Sequence, residues 1–421
     1  MQKSKLKLKT WRKVRLGETG RIVTGKTPPT AEKDYFDGEL PFITPTDITN
    51  FNVRYNYVTD RFLSKKWLAK AKNLLIPQNS TCFVCIGSTI GKICLAKEDS
   101  FTNQQINTVI VDSRKADFNY IYYLLKYNQR NIVKEYGGGG AVKSIINKST
   151  FENIEFFIPD DPVEQKRIAE ILSAFDDKIE LNNKINQNLE QMAQAIFKEW
   201  FINFRFPGHK KVKMVDSELG KIPEGWEVKM LPKVFDFLEG PGIRNWQYTS
   251  KGCPFINIRL IQNNDIDVKL ASFISEEEAH GKYKHFHLQE RDMVVSTSGT
   301  LGRSAIVRKE HLPLLLNTSV IRFKPIDKQN YAYMYQFLNS AYFQNKILSM
   351  ASGSAQPNFG PVHLKQIEVL VPAQHVLNIF GNLANPIYEK IIANMSENQK
   401  LAALRDLLLP KLMSGEILVK A

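Results

Sequence analysis

Gly20-Arg-Ile-Val-Thr-Gly25-Lys26-Thr27 has the spacing of a phosphate-cradling nucleotide loop. That chemistry needs a helix to start at the lysine. Here Pro28-Pro29 follow at once, which removes a backbone donor and disfavours helical geometry just before it. A related stretch, Gly240-Pro241-Gly242, lacks the Lys-Thr pair. Both read as turns, the first basic enough to touch a phosphate. Pro159-Asp160 with Glu164-Gln165-Lys166 has the residue types of a nuclease acid cluster, but the acids lie too close in sequence to come from adjacent strands. They sit where a helix N-terminus favours Asp and Glu. Cys82-x-x-Cys85 with Cys94 suggests zinc, yet a structural site usually takes four ligands in two pairs, and Cys253 is distant. These read as core cysteines. His280, His285 and His287 cluster without a complementary carboxylate motif and read as a solvated face. No glycine-rich cofactor motif opens a strand-turn-helix unit, and no Asn-Pro-Pro-aromatic or Asp-Pro-Pro-Tyr tetrapeptide of an amino-methyltransferase is present. The chain is therefore expected to hold no catalytic group, metal or cofactor of its own.

What remains are loops rich in small polar and basic residues. One set holds Lys26, Thr27, Thr44, Thr46, Ser88, Thr89, Lys92, Asn103, Gln104, Gln105 and Lys143. A second holds Arg244, Asn257, Arg259, Ser298, Thr300, Arg303, Asn317, Ser354, Gln356 and Asn358. Lys, Arg and the N–H groups of glycine turns suit phosphates. Asn and Gln can read adenine, and Arg or Lys guanine. Any one of these turns could be an ordinary hairpin. As a set recurring at equivalent positions, they point to contact with duplex DNA.

The elements that would position them are written twice. Trp11, Pro41-Phe42-Ile43, Ser88–Lys92, Asn103–Ile106 and Ile154–Pro159 recur as Trp226, Pro254-Phe255-Ile256, Gly299–Arg303, Asn317–Val320 and Ile367–Pro372, at offsets of 215, 213, 211, 214 and 213 residues. Ordered matches at nearly one offset indicate duplication. Each copy alternates short β-branched and aromatic runs (TCFVCI, KICLA, NTVIVD; DMVVST, SVIRFKP) with turn residues. A helix-like segment follows in each, FNYIYYLLKYNQRNIVKEY and NYAYMYQFLNSAYFQNKIL. The pattern predicts two similar α+β domains with mainly antiparallel or mixed sheets.

After each copy comes a long amphipathic stretch. Asp161 suits an N-cap, Pro162 the first turn and Glu164 a capping box. Apolar residues then recur at Ile168, Leu172, Phe175, Ile179, Ile185, Leu189, Met192, Ile196 and Trp200, near heptad spacing, with Asn182 and Asn183 interrupting the stripe. The second stretch runs from Ala373 to about Ser414 through Val376, Phe380, Leu383, Ile387, Ile391, Leu401, Leu404, Leu408 and Leu412, with Asn394 and Asn398 inside it and Pro386 expected to kink it or shift its start. A helix this long with one apolar stripe needs a partner. The other copy, antiparallel, is the cheapest.

The 421 residues are 43% hydrophobic and 24% charged, with a net charge of +14. Residues 1–161 hold a net +9 and residues 226–372 a net +4, while residues 162–204 hold −2. Basic charge therefore concentrates in the globular copies, which favours a polyanionic partner. No apolar run is long enough for a membrane span, the basic start lacks a secretory core, and four unevenly spaced cysteines make no disulfide framework. A cytoplasmic protein is expected.

The chain resembles the specificity subunit of type I restriction-modification systems. The resemblance rests on Ile222-Pro223-Glu224-Gly225-Trp226, the Gly-x-x-Gly-Lys/Arg turns, Ser352-Gly353-Ser354-Ala355-Gln356-Pro357-Asn358, the helix start at Pro162–Lys166, and Leu408-Leu409-Pro410-Lys411-Leu412-Met413-Ser414-Gly415. In the first copy Gly137–Lys143, GGGGAVK, stands where the Ser-Gln-Pro-Asn run would be. The resemblance implies target-recognition domains at 1–161 and 226–372, long helices at 162–204 and 373–415 forming an antiparallel coiled coil that separates them, and a linker at 205–225. Each domain would read half of a split site. The helices would set the spacing and dock two modification subunits, which bind S-adenosylmethionine and methylate adenine. Restriction subunits, which translocate and cleave DNA, would join them. A stand-alone restriction or modification enzyme and a protein-interaction scaffold are the alternatives.

Overall fold

The computed structural model describes residues 11–48, 54–137, 145–327, 330–351 and 357–419. The chain divides into two compact units, Met1–Asn182 with Glu397–Ala421, and Asn183–Ser396. Each contains one copy of the repeat together with part of both long helices.

In the first unit, β1 (Trp11–Arg15) pairs antiparallel with β10 (Glu155–Pro159). The central sheet has the order β2-β9-β6-β7-β4, from Gly20–Thr24, Ile106–Val111, Thr81–Val84, Ile93–Ala96 and Tyr55–Asn56. Its pairs are antiparallel except β4 with β7. A smaller sheet joins β3 (Leu40–Ile43) to β5 (Phe62–Leu63) and, in parallel, to β8 (Phe101–Thr102). Strand alternation sends Phe83, Leu95 and Val109 into one cluster and Cys82, Val84, Cys94 and Ala96 into another, so both faces of the sheet are covered. The first face packs on helix α1 (Phe118–Tyr136), the start of helix α2 (Pro162–Phe197), and Leu409, Leu412 and Met413.

The second unit repeats this plan. A hairpin of β11 (Met214–Ser217) and β12 (Gly220–Pro223) occupies the segment expected as a linker. β13 (Glu227–Met230) pairs with β22 (Glu368–Val371) as β1 does with β10. The sheet order β14-β21-β19-β20 (Phe235–Glu239, Val320–Pro325, Met293–Ser296, Ser304–Ile306) matches β2-β9-β6-β7. β15 (Cys253–Phe255) pairs with β18 (Ser272–Ile274) as β3 does with β5; between them lie β16 (Ile261–Gln262) and β17 (Asp265–Ile266). A parallel bridge from Phe255 to Leu315 stands where β3 meets β8. The segment expected as one helix is two, α3 (Tyr331–Asn339) and α4 (Ala341–Met350). Ser340 takes extended geometry and its hydroxyl accepts from the N–H of Phe343, so the side chain caps the second helix instead of continuing the first.

Helix α5 (Gln374–Met413) runs through Pro386, which neither shifts its start nor divides it. Within the first unit α2 and α5 run antiparallel: Asp176 meets Arg405, while Asn182 donates to Glu397 at 2.8 Å and to Asn398 at 2.9 Å. Within the second, Asn394 donates to Asn186 at 2.8 Å, and Tyr388 to Glu190 at 3.4 Å, again in opposite order. Asn182 is fully buried, so the interruption of the stripe is itself a polar contact. α2 ends in a π-helical turn, Lys198–Ile202, that places Phe201 against Trp226 and Phe380.

The apolar seam differs in part from the heptad reading. Ile168, Leu172, Ile179, Val376, Phe380, Ile391 and Leu412 are buried, and Leu189, Ile196, Ile387 and Leu408 pack partly buried against the cores. Phe175, Ile185 and Leu401 are half-buried. Met192, Leu383 and Leu404 are 54%, 47% and 48% exposed, and their neighbours Ala193, Ala384 and Arg405 are the buried ones. A straight helix turns by 3.6 residues, so a strict heptad stripe drifts about 20° per repeat, and the seam moves over by one position.

Candidate nucleic-acid interface

At one end of the first unit's sheet, the C-termini of β2 and β6 meet the N-termini of β7 and β9. Four turns gather there. Gly25 donates to Ile106 O at 3.2 Å and Lys26 N–H to Thr102 O at 2.9 Å. The approach is so close that a Cβ on Gly25 would lie 2.1 Å from the carbonyl oxygen of Thr102. Thr27 donates to Gln104 at 2.6 Å, and Gln105 donates to the carbonyl of Ile86 at 3.3 Å. Lys92 donates to the carbonyl of Pro45 at 2.9 Å, tying the Ser88–Lys92 turn to Thr44–Asp47, whose Thr44 N–H and hydroxyl both donate to Asp47. Lys26, Thr46, Ser88 and Gln104 are left exposed, and Thr89 half-exposed.

The second unit builds the same rim. Gly240 takes the place of Gly25, where a Cβ would lie 2.4 Å from the backbone of Asn317. Thr318 N–H donates to Pro241 O at 3.1 Å, Thr297 N–H to Ser319 O at 3.0 Å and Phe359 N–H to Thr297 O at 3.2 Å. Ser298 pairs with Asn358. A shallow pocket is lined by Glu239, Ser298, Thr318, Ser319, Asn358 and His363. Burial holds the Glu239 carboxyl above its ordinary range. Asn257 accepts from the N–H of Arg259 at 3.0 Å; Arg244, Arg259, Thr300 and Arg303 are exposed.

Two of the expected contact residues turn inward. Asn103 and Asn317 are each 8% exposed. Asn103 accepts from Gln105 N–H at 3.1 Å, and Asn317 from Ser319 N–H at 3.3 Å. Each closes its own turn, so these side chains shape the rim. Lys143, Ser354 and Gln356 lie outside the described residues. The sequence reading missed a buttress found in both copies. Gly91 and Gly302, at φ +96° and +76°, need the left-handed conformation that glycine tolerates. Gln129 of α1 donates to Gly91 O at 2.6 Å, and Gln344 of α4 to Gly302 O at 3.4 Å. Gln129 and Gln344 are 215 residues apart, which the repeat offset could have flagged.

The other motifs resolve locally. Asp161 accepts from Val163 N–H at 2.8 Å as a helix cap, Glu164 accepts from the Trp11 indole at 3.3 Å, and Asp160 pairs with Arg12. Gln165, fully buried, donates to Pro159 O and accepts from Asp117 N–H. All four cysteines are buried; Cys82 and Cys94 face each other across β6 and β7. Burial pushes the Cys85 thiol up to about 12 and that of Cys253 to about 11. His280 stacks on His287 with ring centroids 5.2 Å apart, and His285 is exposed. Among the described residues no group of three or more His, Cys, Asp or Glu side chains is arranged to hold a metal ion, and no helix is long and apolar enough to cross a membrane.

The fold and rims define a duplicated α+β protein in which polar and basic turns gather at one end of each sheet, combined with antiparallel long helices. The chain belongs to the family of the type I restriction modification DNA specificity domain, whose model matches residues 8–191 and 223–380, once per copy. The type I restriction enzyme MjaIX specificity subunit of Methanocaldococcus jannaschii is 29% identical over 98% of this chain and 94% of its own. The HindI specificity subunit of Haemophilus influenzae is 27% identical over 64% of this chain and 71% of its own. The crystal structure of a type I restriction-modification S subunit from M. genitalium has the same fold, with a TM-score of 0.55 at 18% identity over 96% of both chains.

Proposed function

We propose that this chain is the non-catalytic DNA-reading subunit of a type I methyltransferase and restriction complex, each rim reading one half of a split duplex site. The observation that carries the reading is the matched pair of rims, built by the same turns at the same end of two equivalent sheets. Exposed Lys26, Arg244, Arg259 and Arg303 suit phosphates or guanine; exposed Gln104 and Asn358 suit adenine. The long helices act as spacer and as dock for two modification subunits. Those subunits supply S-adenosylmethionine and the adenine methyl transfer, with the base flipped from the duplex. Restriction subunits join them to translocate and cleave, in the cytoplasm. Footprinting of the complex with its modification subunits tests this. Protection of two short segments with an unprotected interval is expected, with affinity falling steeply as salt rises. Methyl transfer by the purified chain alone would make it an enzyme instead; absence of DNA binding at low salt would make it a scaffold.

A further inference from the structure

Trp246 is 81% exposed, the largest exposure among the described large hydrophobic side chains. Leaving an indole in water forfeits the burial that makes tryptophan favourable. It is not on a loose loop. The turn Asn245–Gln247 is fixed at both sides. Gln247 is 5% exposed and donates to Glu278 at 2.6 Å and to the Tyr283 hydroxyl at 3.0 Å. Its side-chain amide oxygen, Oε1, accepts from Arg244 N–H at 3.0 Å. Ile243 is buried in a cluster with Phe255 and Leu315, and the Tyr248 ring packs on Phe255 at 5.1 Å. The segment springs from Gly240 and Pro241, the glycine rim described above. A rigid turn thus holds an indole and the exposed Arg244 outward beside the polar loops.

We propose that Trp246 is an apolar wedge of the second unit, entering the bound duplex at a base step while Arg244 engages an adjoining phosphate. The proposal rests on the DNA-reading function above. Aromatic rings stack on base faces regardless of sequence, and inserted apolar side chains kink DNA at the step they open. At the equivalent distance from Gly25 the first copy carries Thr30-Ala31-Glu32-Lys33 and no aromatic residue, and the nearby Tyr35 is buried. That asymmetry runs with charge. The second globular copy carries +4 against +9, so stacking replaces phosphate contacts there.

The test uses the full chain assembled with its modification subunits, and a duplex bearing its split site with 2-aminopurine scanned through each half. With the wild-type chain one position in one half should brighten on binding, as the base unstacks. Trp246→Ala should abolish that signal and weaken affinity about ten- to a hundredfold, with subunit assembly unchanged, and Trp246→Phe should keep most of both. Three results would overturn the wedge: no brightening with the wild type, unchanged affinity and signal in Trp246→Ala, or loss of subunit assembly by that variant without DNA, since a protein would then cover the ring. If the wild type itself prefers no split site, the DNA-reading function fails as well.

Discussion

At the residue scale, glycine and cysteine give the sharpest expectations. Gly25→Ala would push a Cβ into the Thr102 carbonyl, 2.1 Å away. The backbone must shift, so the substitution should cost roughly 1–3 kcal/mol in denaturant unfolding and weaken DNA binding through the displaced turn. An unchanged midpoint would mean that this close approach does not constrain the rim. The four buried cysteines should resist a thiol reagent in the native chain and all react after denaturation, because burial shields their sulfurs from the reagent. Treatment with a chelator should leave the melting temperature unchanged. Residue types alone single out polar turns, and the structure gathers several of them at one end of each sheet, but they do not tell which side chains face outward. Asn103 and Asn317 carry the right chemistry for a base edge, yet their side chains are spent on their own turns. The exposure of Trp246 is not legible in the sequence, because one tryptophan in a row of polar residues has no periodicity to betray it.

At the element scale, the long helices were legible because caps, prolines and spacing agree over many residues. The seam was less so. Its true members depend on how 3.6-residue turns drift against a heptad stripe, which put Met192, Leu383 and Leu404 outside and Arg405 inside. The buried Arg405 and Asp176 form an ion pair that the Tyr123 hydroxyl joins at 2.6 Å. Asp176→Ala removes one carboxylate from the buried guanidinium, which keeps Asp406, and should cost roughly 1.5–3 kcal/mol in unfolding of the first unit. A loss below about 1 kcal/mol would show the pair to be dispensable. The break at Ser340 was invisible in the apolar pattern, since one serine can serve either as a solvated helix residue or as a cap. If the helices set the spacing, adding one turn to both lengthens the rod by about 5.4 Å, and the preferred interval between half-sites should grow by one or two base pairs. An unchanged interval would remove their role as a ruler.

At the scale of the whole molecule, duplication was the most readable feature. Five short matches at nearly one offset predict two similar α+β domains, and the two units share a four-strand order and one closing β-pair each. What the repeat could not reveal is how the two copies differ, in charge and in the exposed indole, because those features lie on surface turns that the shared fold does not constrain. Methylation-aware sequencing of the host genome, compared with a strain lacking this chain, should show a methylated adenine motif of two short defined segments separated by a fixed undefined interval. A single continuous motif dependent on this chain, or no change in methylation on its loss from an otherwise active system, would contradict the account.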